Sequence, residues 1–101
     1  MTLNDIEKLA EHADEATKML KELANRNRLM IFCSLGDDEL SVSQLNKLVP
    51  LSQSALSQHL ARLREAGFLI TRRDGQTIYY RLADKGVTQI ITTLKSIYCP
   101  E

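Results

Sequence analysis

No apolar run in the sequence approaches the ~20 consecutive residues that a helix needs to span a bilayer. The first residues, MTLNDIEKLAEHADEA, are acidic and amphipathic, and they do not resemble a signal peptide. Low-complexity tracts, internal repeats and linkers are also absent from the sequence. We therefore expect one folded domain over residues 1–101, located in the cytoplasm and without a membrane partner.

Cysteine is scarce: the sequence has two, Cys33 and Cys99, which lack the C-x-x-C spacing of zinc knuckles and thioredoxin-like motifs. A purely structural disulfide is not expected in the cytosol. A thiol enzyme needs a thiolate beside a histidine or another cation, and neither His12 nor His59 stands in a motif with a cysteine. The sequence thus predicts no enzyme, no catalytic residue and no cofactor.

The net charge is zero, but the charges are unevenly distributed. Residues 1–50 carry six Lys or Arg against nine Asp or Glu, whereas residues 51–101 carry seven against four. Five of the basic residues fall within one segment: Arg62, Arg64, Arg72, Arg73 and Arg81. A local basic patch on a neutral protein favours a polyanionic partner in one orientation. An ordinary solvated surface would give the same residue counts, so the charge distribution alone does not show that a polyanion binds.

Three segments have the apolar spacing of helices that build a core or an interface. Residues 5–24 carry a heptad-like seam, which predicts one helix that packs along another helix. Residues 28–36, RLMIFCSLG, are apolar nearly all round, as in a central buried helix. Residues 84–98 form the last predicted helix, which Pro100 closes.

Two further helices are predicted on either side of a short turn. Ser41 begins an S-x-x-Q capping box and starts a short helix that Pro50 ends. Ser52 is a good N-cap for the next helix, which covers residues 53–66 and stops at Gly67. The pair has the form of a helix-turn-helix.

A β-hairpin is predicted after this pair. The sequence changes to strand periodicity over residues 68–73 and 76–82, and Asp74-Gly75 lies between the two strands. Asp-Gly is a strong signal for a type I′ turn, which needs positive φ at both central residues.

Such a turn would place Arg73 and Gln76 at the tip of the hairpin, with Arg72 and Thr77 one step behind. This small basic finger suits DNA backbone phosphates or the minor groove. The alternative is that arginines on edge strands only prevent aggregation.

The helix over residues 53–66 has two different faces. One arc holds three leucines, Leu56, Leu60 and Leu63, and a separate arc holds Gln53, Ser54, Ser57, Gln58 and Ala61. Short serines allow close approach to DNA, and glutamine amides can pair with base edges in the major groove. A merely hydrated face is the alternative, but such faces favour Glu, Lys and Arg. Together with the hairpin, the predicted DNA-binding residues are Gln53, Ser54, Ser57, Gln58, Arg62, Arg72, Arg73 and Gln76.

The stretches LANRNRLMIF, LSQSALSQHLARLREAGFL and RRDGQTIYYRL together resemble the ArsR/SmtB family of small winged helix-turn-helix repressors. The resemblance implies a mainly α fold with a small β-hairpin, and a homodimer formed through the first and last helices. It also implies that two recognition helices enter successive major grooves of a palindromic double-stranded DNA operator. By resemblance, Gln53, Ser54, Ser57 and Gln58 carry the DNA contacts. Intramolecular packing alone would produce similar apolar seams on the first and last helices.

Many members of this family sense metals, and their ligand positions are changed in this sequence. Arsenic, cadmium and lead sensors resemble E-L-C-V-C-x-L-C, where this chain reads ELSVSQLN, with Ser41, Ser43 and Asn46 at the thiolate positions. Zinc and nickel sensors place an Asp and histidines along the last helix, where this chain keeps Asp84 but has Gly86 and no histidine. We expect no metal site, and a metal-responsive repressor is the least favoured alternative.

Cys33 and Cys99 match a dithiol branch of the family, typified by BigR, YgaV and HlyU. That resemblance implies a response to reactive sulfur or oxidants, in which a disulfide or polysulfide links the two thiols and alters operator binding. Taken singly, Cys33 reads as an inert buried residue and Cys99 as an incidental terminal thiol. HlyU-like members are regarded as anti-repressors of virulence genes, so a redox-inert anti-repressor remains the alternative.

Overall fold

The computed structural model of the protein describes residues 1–100. Within that range the helices are α1 (Leu3–Glu11), α2 (Ala13–Leu23), α3 (Arg26–Leu35), α4 (Val42–Leu48), α5 (Gln53–Glu65) and α6 (Lys85–Tyr98). The strands are β1 (Leu40–Ser41), β2 (Leu69–Asp74) and β3 (Thr77–Leu82). The predicted fold class, mainly helical with a small antiparallel sheet after a helix-turn-helix, is confirmed. None of the helices in the described range is long and apolar enough to cross a bilayer.

The core lies around α3, as its sequence predicts. Ile31, Phe32 and Leu35 of this helix are fully buried. The ring of Phe32 meets the ring of Phe68 edge-on, with 6.3 Å between the centroids. The three predicted leucines of α5 are also fully buried: Leu56, Leu60 and Leu63. This packing fixes the orientation of α5 and leaves its opposite face exposed.

The prediction of one continuous helix over residues 5–24 is wrong. His12 has φ −113° and ψ 11°, which ends α1 and separates it from α2. Its N–H donates to the carbonyl oxygen of Leu9, three residues back, at 3.0 Å. The apolar spacing continues through both helices. Such spacing therefore cannot reveal that one residue between them is not helical. No residue of α1 is buried.

The sheet has a third strand that the sequence did not reveal. Strand β1 pairs with the middle strand, Leu40 opposite Tyr80 and Ser41 opposite Tyr79, so that the strand order is β1-β3-β2. Two residues are too few to show a strand periodicity. Ser41 also begins α4, and its reciprocal hydrogen bonds with Gln44 confirm the predicted capping box.

The predicted type I′ turn at Asp74-Gly75 is wrong by one residue. Asp74 is the last residue of β2 and pairs with Thr77, so the turn consists of Gly75 and Gln76. Gly75 has φ +63°, and within the described residues positive φ occurs only at glycines. A turn with glycine at its first central position needs positive φ only there, where glycine adopts it at low cost. Arg73 therefore lies opposite Ile78 and not at the tip.

Candidate nucleic-acid interface and thiol pair

Helix α5 presents the predicted polar face to solvent. The hydroxyl oxygen of Ser52 accepts a hydrogen bond from the N–H of Ala55 at 3.1 Å, which caps the start of the helix as predicted. Four predicted recognition residues are exposed: Gln53, Ser54, Ser57 and Gln58. His59 is half-buried, off this face. Because these side chains are short or uncharged, the backbone of α5 can approach a groove closely.

The turn between α4 and α5 is held by a residue that the sequence did not single out as structural. The side-chain amide of Asn46 donates to the carbonyl oxygen of Leu51 at 2.7 Å, and lies 3.4 Å from that of Val49. These bonds satisfy backbone acceptors in a segment that Pro50 prevents from continuing as a helix. Asn46 thereby fixes the angle at which α5 leaves the turn.

The hairpin and the recognition helix meet at one open groove. Gln53 at the start of α5 and Gln76 of the turn both line it, together with Ser43 and Gln44 at the start of α4. Two predicted site residues that are 23 positions apart in sequence therefore line the same groove in the fold. A duplex lying against α5 would meet the hairpin turn at the same time.

The two hairpin arginines project to opposite faces of the sheet, because successive side chains alternate along a strand. Arg73 is on the face that carries Leu69 and Leu82, and it is exposed at the outer end of the hairpin. Among residues 1–100, Arg73 takes part in no ion pair. Its guanidinium is therefore available to a phosphate.

Arg72, on the other face, is engaged by Glu39. Its Nε lies 3.0 and 3.1 Å from the two carboxylate oxygens, and its Nη2 lies 2.9 Å from one of them. The guanidinium also stacks over the ring of Tyr79, 4.8 Å from the centroid. The hydrogen bond lowers the pKa of Glu39 and raises that of Arg72. Glu39 just precedes β1, so this contact reaches across all three strands.

Arg62, at the C-terminal end of α5, is also held by a carboxylate. Its Nη2 lies 3.1 Å from Glu22 of α2, whose side chain is 12% exposed. The same carboxylate lies 3.2 Å from the Nε of Arg28, although that N–H donates to the backbone oxygen of Glu22. Sequence patterns missed Glu22 because Arg62 is 40 positions away. The cluster ties the recognition helix to α2.

The two thiols are free and lie on neighbouring elements. Cys33 is half-buried on α3, and Cys99 is exposed just after α6, which packs against α3. Burial raises the pKa of Cys33; the Lys95 cation opposes the shift, and charge on Cys99 adds to it. Lys95 stands one turn before Cys99, whose N–H donates to its carbonyl oxygen at 2.8 Å.

The positions where related sensors hold metals have structural roles in this chain. Ser41 caps α4, Asn46 holds the turn, and Asp84 caps α6 by accepting from the N–H of Gly86 at 2.7 Å. In the part of the chain that the structure describes, no group of three or more His, Cys, Asp or Glu side chains could hold a metal ion.

Comparison with known proteins gives the family. The model for bacterial regulatory proteins of the arsR family matches residues 25–71. The transcriptional activator HlyU of Vibrio cholerae is 46% identical over 99 residues, which cover 98% of this chain and 89% of that protein. The regulator YgaV of Escherichia coli is 39% identical, over 97% of this chain and 100% of that protein. The crystal structure of the repressor BigR from Xylella fastidiosa superposes with a TM-score of 0.84 at 39% identity, covering 100% of both chains. The exposed polar face of α5, the turn before it and the hairpin after it are thus the helix-turn-helix and wing of a DNA-binding transcriptional regulator, and the protein belongs to the ArsR family.

Proposed function

We propose that this regulator acts as a homodimer that binds a palindromic operator and that linkage of Cys33 to Cys99 by reactive sulfur or oxidants alters the binding. The observation that carries the sensing proposal is the placement of two free thiols on elements that pack together, Cys33 on α3 and Cys99 at the end of α6. The whole chain, residues 1–101, acts as one domain.

In the proposed complex α5 lies in the major groove. Gln53, Ser54, Ser57 and Gln58 contact base edges, because their side chains are exposed on one face and supply donors and acceptors. Arg62, Arg73 and Gln76 contact the backbone on either side. Arg72 belongs to this surface too, but it contributes only when its contact with Glu39 opens.

The proposed dimer interface comes from apolar residues that the single chain leaves exposed. Leu3, Ile6 and Leu9 of α1 are 73%, 51% and 53% exposed, and Ile97 and Tyr98 of α6 are exposed as well. A helix with an apolar stripe and no buried residue requires a partner surface, and a second copy supplies one of matching shape. The interface holds two recognition helices about 34 Å apart, one helical turn of DNA.

In the proposed thiol reaction Cys99 attacks first, because it is exposed while the raised pKa of Cys33 leaves little thiolate at neutral pH. With hydrogen peroxide, the Cys99 thiolate attacks one oxygen atom, the O–O bond breaks, hydroxide leaves, and a sulfenic acid forms. The Cys33 thiolate then displaces hydroxide, and a disulfide results. With inorganic polysulfide, the Cys99 thiolate attacks an inner sulfur, an S–S bond of the reagent breaks, and a shorter hydropolysulfide or hydrosulfide leaves while the remaining sulfur atoms stay on Cys99. The Cys33 thiolate then attacks the penultimate sulfur of this chain and releases hydrosulfide, which leaves the two cysteines linked.

The resulting bridge ties α3 to the end of α6, beside Tyr98 of the proposed dimer interface. Because α3 lies at the core against which α5 packs, a changed angle between α3 and α6 changes the separation of the two recognition helices. Binding of a palindrome depends on that separation. We therefore expect the linked dimer to lose operator affinity.

The test uses a duplex selected by the protein itself from a random library. Its affinity is measured before and after treatment with polysulfide and, separately, peroxide, for wild type, Cys33→Ser and Cys99→Ser. We expect treatment to weaken binding only in wild type, and mass spectrometry to show a Cys33–Cys99 link. An unchanged affinity in wild type that mass spectrometry shows to be fully linked would refute the sensing proposal.

A second candidate is a redox-inert regulator that displaces another DNA-binding protein. It is favoured by the 46% identity to HlyU of Vibrio cholerae, which is named a transcriptional activator. Under this proposal the Cys33→Ser and Cys99→Ser variants bind the selected duplex like wild type with and without treatment. The DNA contacts of α5 and the wing are the same in both proposals.

A further inference from the structure

The wing contains a carboxylate placed where a phosphate would otherwise bind. Glu39 occupies the edge of the Arg72 guanidinium formed by Nε and Nη2, with three contacts between 2.9 and 3.1 Å. This is the side-on geometry with which arginine holds the oxygens of a carboxylate or a phosphate. A DNA phosphate can use that edge of Arg72 only by displacing Glu39.

Neighbouring groups strengthen this contact. Tyr79 of β3 supports the flat face of the guanidinium, and Arg81, two residues further along β3, adds a second positive charge near Glu39. Glu39 immediately precedes β1, whose pairing with β3 holds the backbone beside it in place. Arg73, the next residue of β2, has no such partner among the described residues. The two adjacent arginines of the wing are therefore in different electrostatic states.

We infer that Glu39 is a selectivity-determining residue, which withholds the charge of Arg72 from DNA of arbitrary sequence and leaves Arg73 as the phosphate-binding arginine of the wing. Nonspecific affinity comes almost entirely from neutralised phosphates. An arginine that is already paired releases no counterions from such a duplex. Removing the Glu39 charge therefore increases binding to duplexes of arbitrary sequence more than binding to the operator, whose complex already opens the Glu39–Arg72 contact in the wild type, and the preference of the regulator for its operator falls. This inference rests on the proposed placement of the wing against DNA.

The test measures affinity for a duplex of random sequence as a function of salt concentration. Each neutralised phosphate makes the logarithmic salt slope steeper by about 0.9. Glu39→Gln is nearly isosteric, and we expect it to steepen the slope by about 0.9 per protomer. Between about 50 and 200 mM salt this variant then loses about 3.5-fold more affinity per protomer than wild type. Glu39→Ala, which removes both acceptors, should give the same change.

A double-mutant cycle identifies Arg72 as the source of that change. Arg72→Gln should leave the slope of the wild type unchanged, but it should abolish the increase caused by Glu39→Gln. Asp38→Asn is the matched control, because Asp38 is the exposed neighbour of Glu39 and its loss changes the net charge equally. Thermal melts monitored by circular dichroism verify that all variants are folded.

Three results would overturn the inference without touching the proposed interface: an unchanged slope in both Glu39 variants, an equal increase in Asp38→Asn, or a shallower slope when Arg72→Gln is the single substitution. A purely structural contact would lower thermal stability without affecting the slope. The Arg73→Gln variant distinguishes failure of the Glu39 inference from failure of the proposed DNA interface. If that variant lowers the slope, the wing contacts DNA and only the Glu39 inference is at risk. If it does not, both the interface and the inference are wrong.

Discussion

Replacing Glu22 with Gln should destabilise the protein far more than removing its partner on the recognition helix. The Glu22 side chain is 12% exposed and that of Arg28 is 10% exposed, so the variant leaves a buried cation without its counter-ion. Breaking such a pair typically costs about 3–5 kcal/mol. Arg28 keeps hydrogen bonds to the backbone oxygens of Glu22 at 2.9 Å and Lys21 at 3.2 Å, which place the expected loss at the lower end, about 3 kcal/mol.

Arg62, the other partner of Glu22, should matter much less for stability. Its side chain is 58% exposed, and ion pairs of that kind contribute about 0.2–1 kcal/mol. Arg62→Gln should therefore cost less than about 1 kcal/mol of unfolding free energy. In a protein that already carries Glu22→Gln, the same substitution should cost almost nothing, because the ion pair is already broken. The two single variants thus differ by at least about 2 kcal/mol in the free energy of unfolding.

Urea unfolding followed by circular dichroism measures this difference. With a slope of about 2 kcal/mol per molar urea, Glu22→Gln lowers the midpoint by roughly 1.5 M, and Arg62→Gln lowers it by less than about 0.5 M. All samples need the same protein concentration, because the proposed dimer would contribute to stability. Equal midpoints for the two variants, or a loss below about 1 kcal/mol for Glu22→Gln, would show that Glu22 is not the buried centre of the cluster.

Three other predictions concern the thiols, the interface and the core. Burial raises the pKa of Cys33 above its ordinary value of 9.0, so Cys33 should be alkylated more slowly than Cys99 near neutral pH, and its alkylation rate should rise about tenfold per pH unit up to pH 9. Peptide mass mapping measures both rates, and equal rates near pH 7 would contradict the assignment of Cys99 as the first attacker. Arg73→Gln should lower affinity for all duplexes, whereas Gln53→Ala should change which sequences are selected from a random library. A Gln53→Ala variant that selects the same sequence as the wild type would exclude Gln53 from base recognition. Leu60→Ala should cost about 2–5 kcal/mol of unfolding free energy, because Leu60 is fully buried between α5 and the core. Chemical denaturation measures this cost, and a loss below about 1 kcal/mol would mean that neighbouring side chains relax to fill the cavity.

Local patterns predicted the elements that depend on local chemistry. The capping residues Ser41 and Ser52 and the three buried leucines of α5 lie where the sequence places them, because a cap and an apolar face depend on residues three or four positions apart. The break at His12 and the two-residue strand β1 fall below the resolution of any periodic pattern. The turn at Gly75 was misplaced by one residue because both possible turns contain the same glycine.

The electrostatics of the interface could not be predicted locally, because its partners come from opposite halves of the chain. Arg62 and Arg72 pair with Glu22 and Glu39, which are 40 and 33 positions away. The acidic surplus of the first half thus neutralises part of the basic surplus of the second half within the folded protein. Counting arginines in the sequence therefore overestimates the unpaired positive charge on the proposed DNA-binding surface. Because the salt slope counts only phosphates that are actually neutralised, the wild-type protein should show a shallower slope than its five clustered arginines would give.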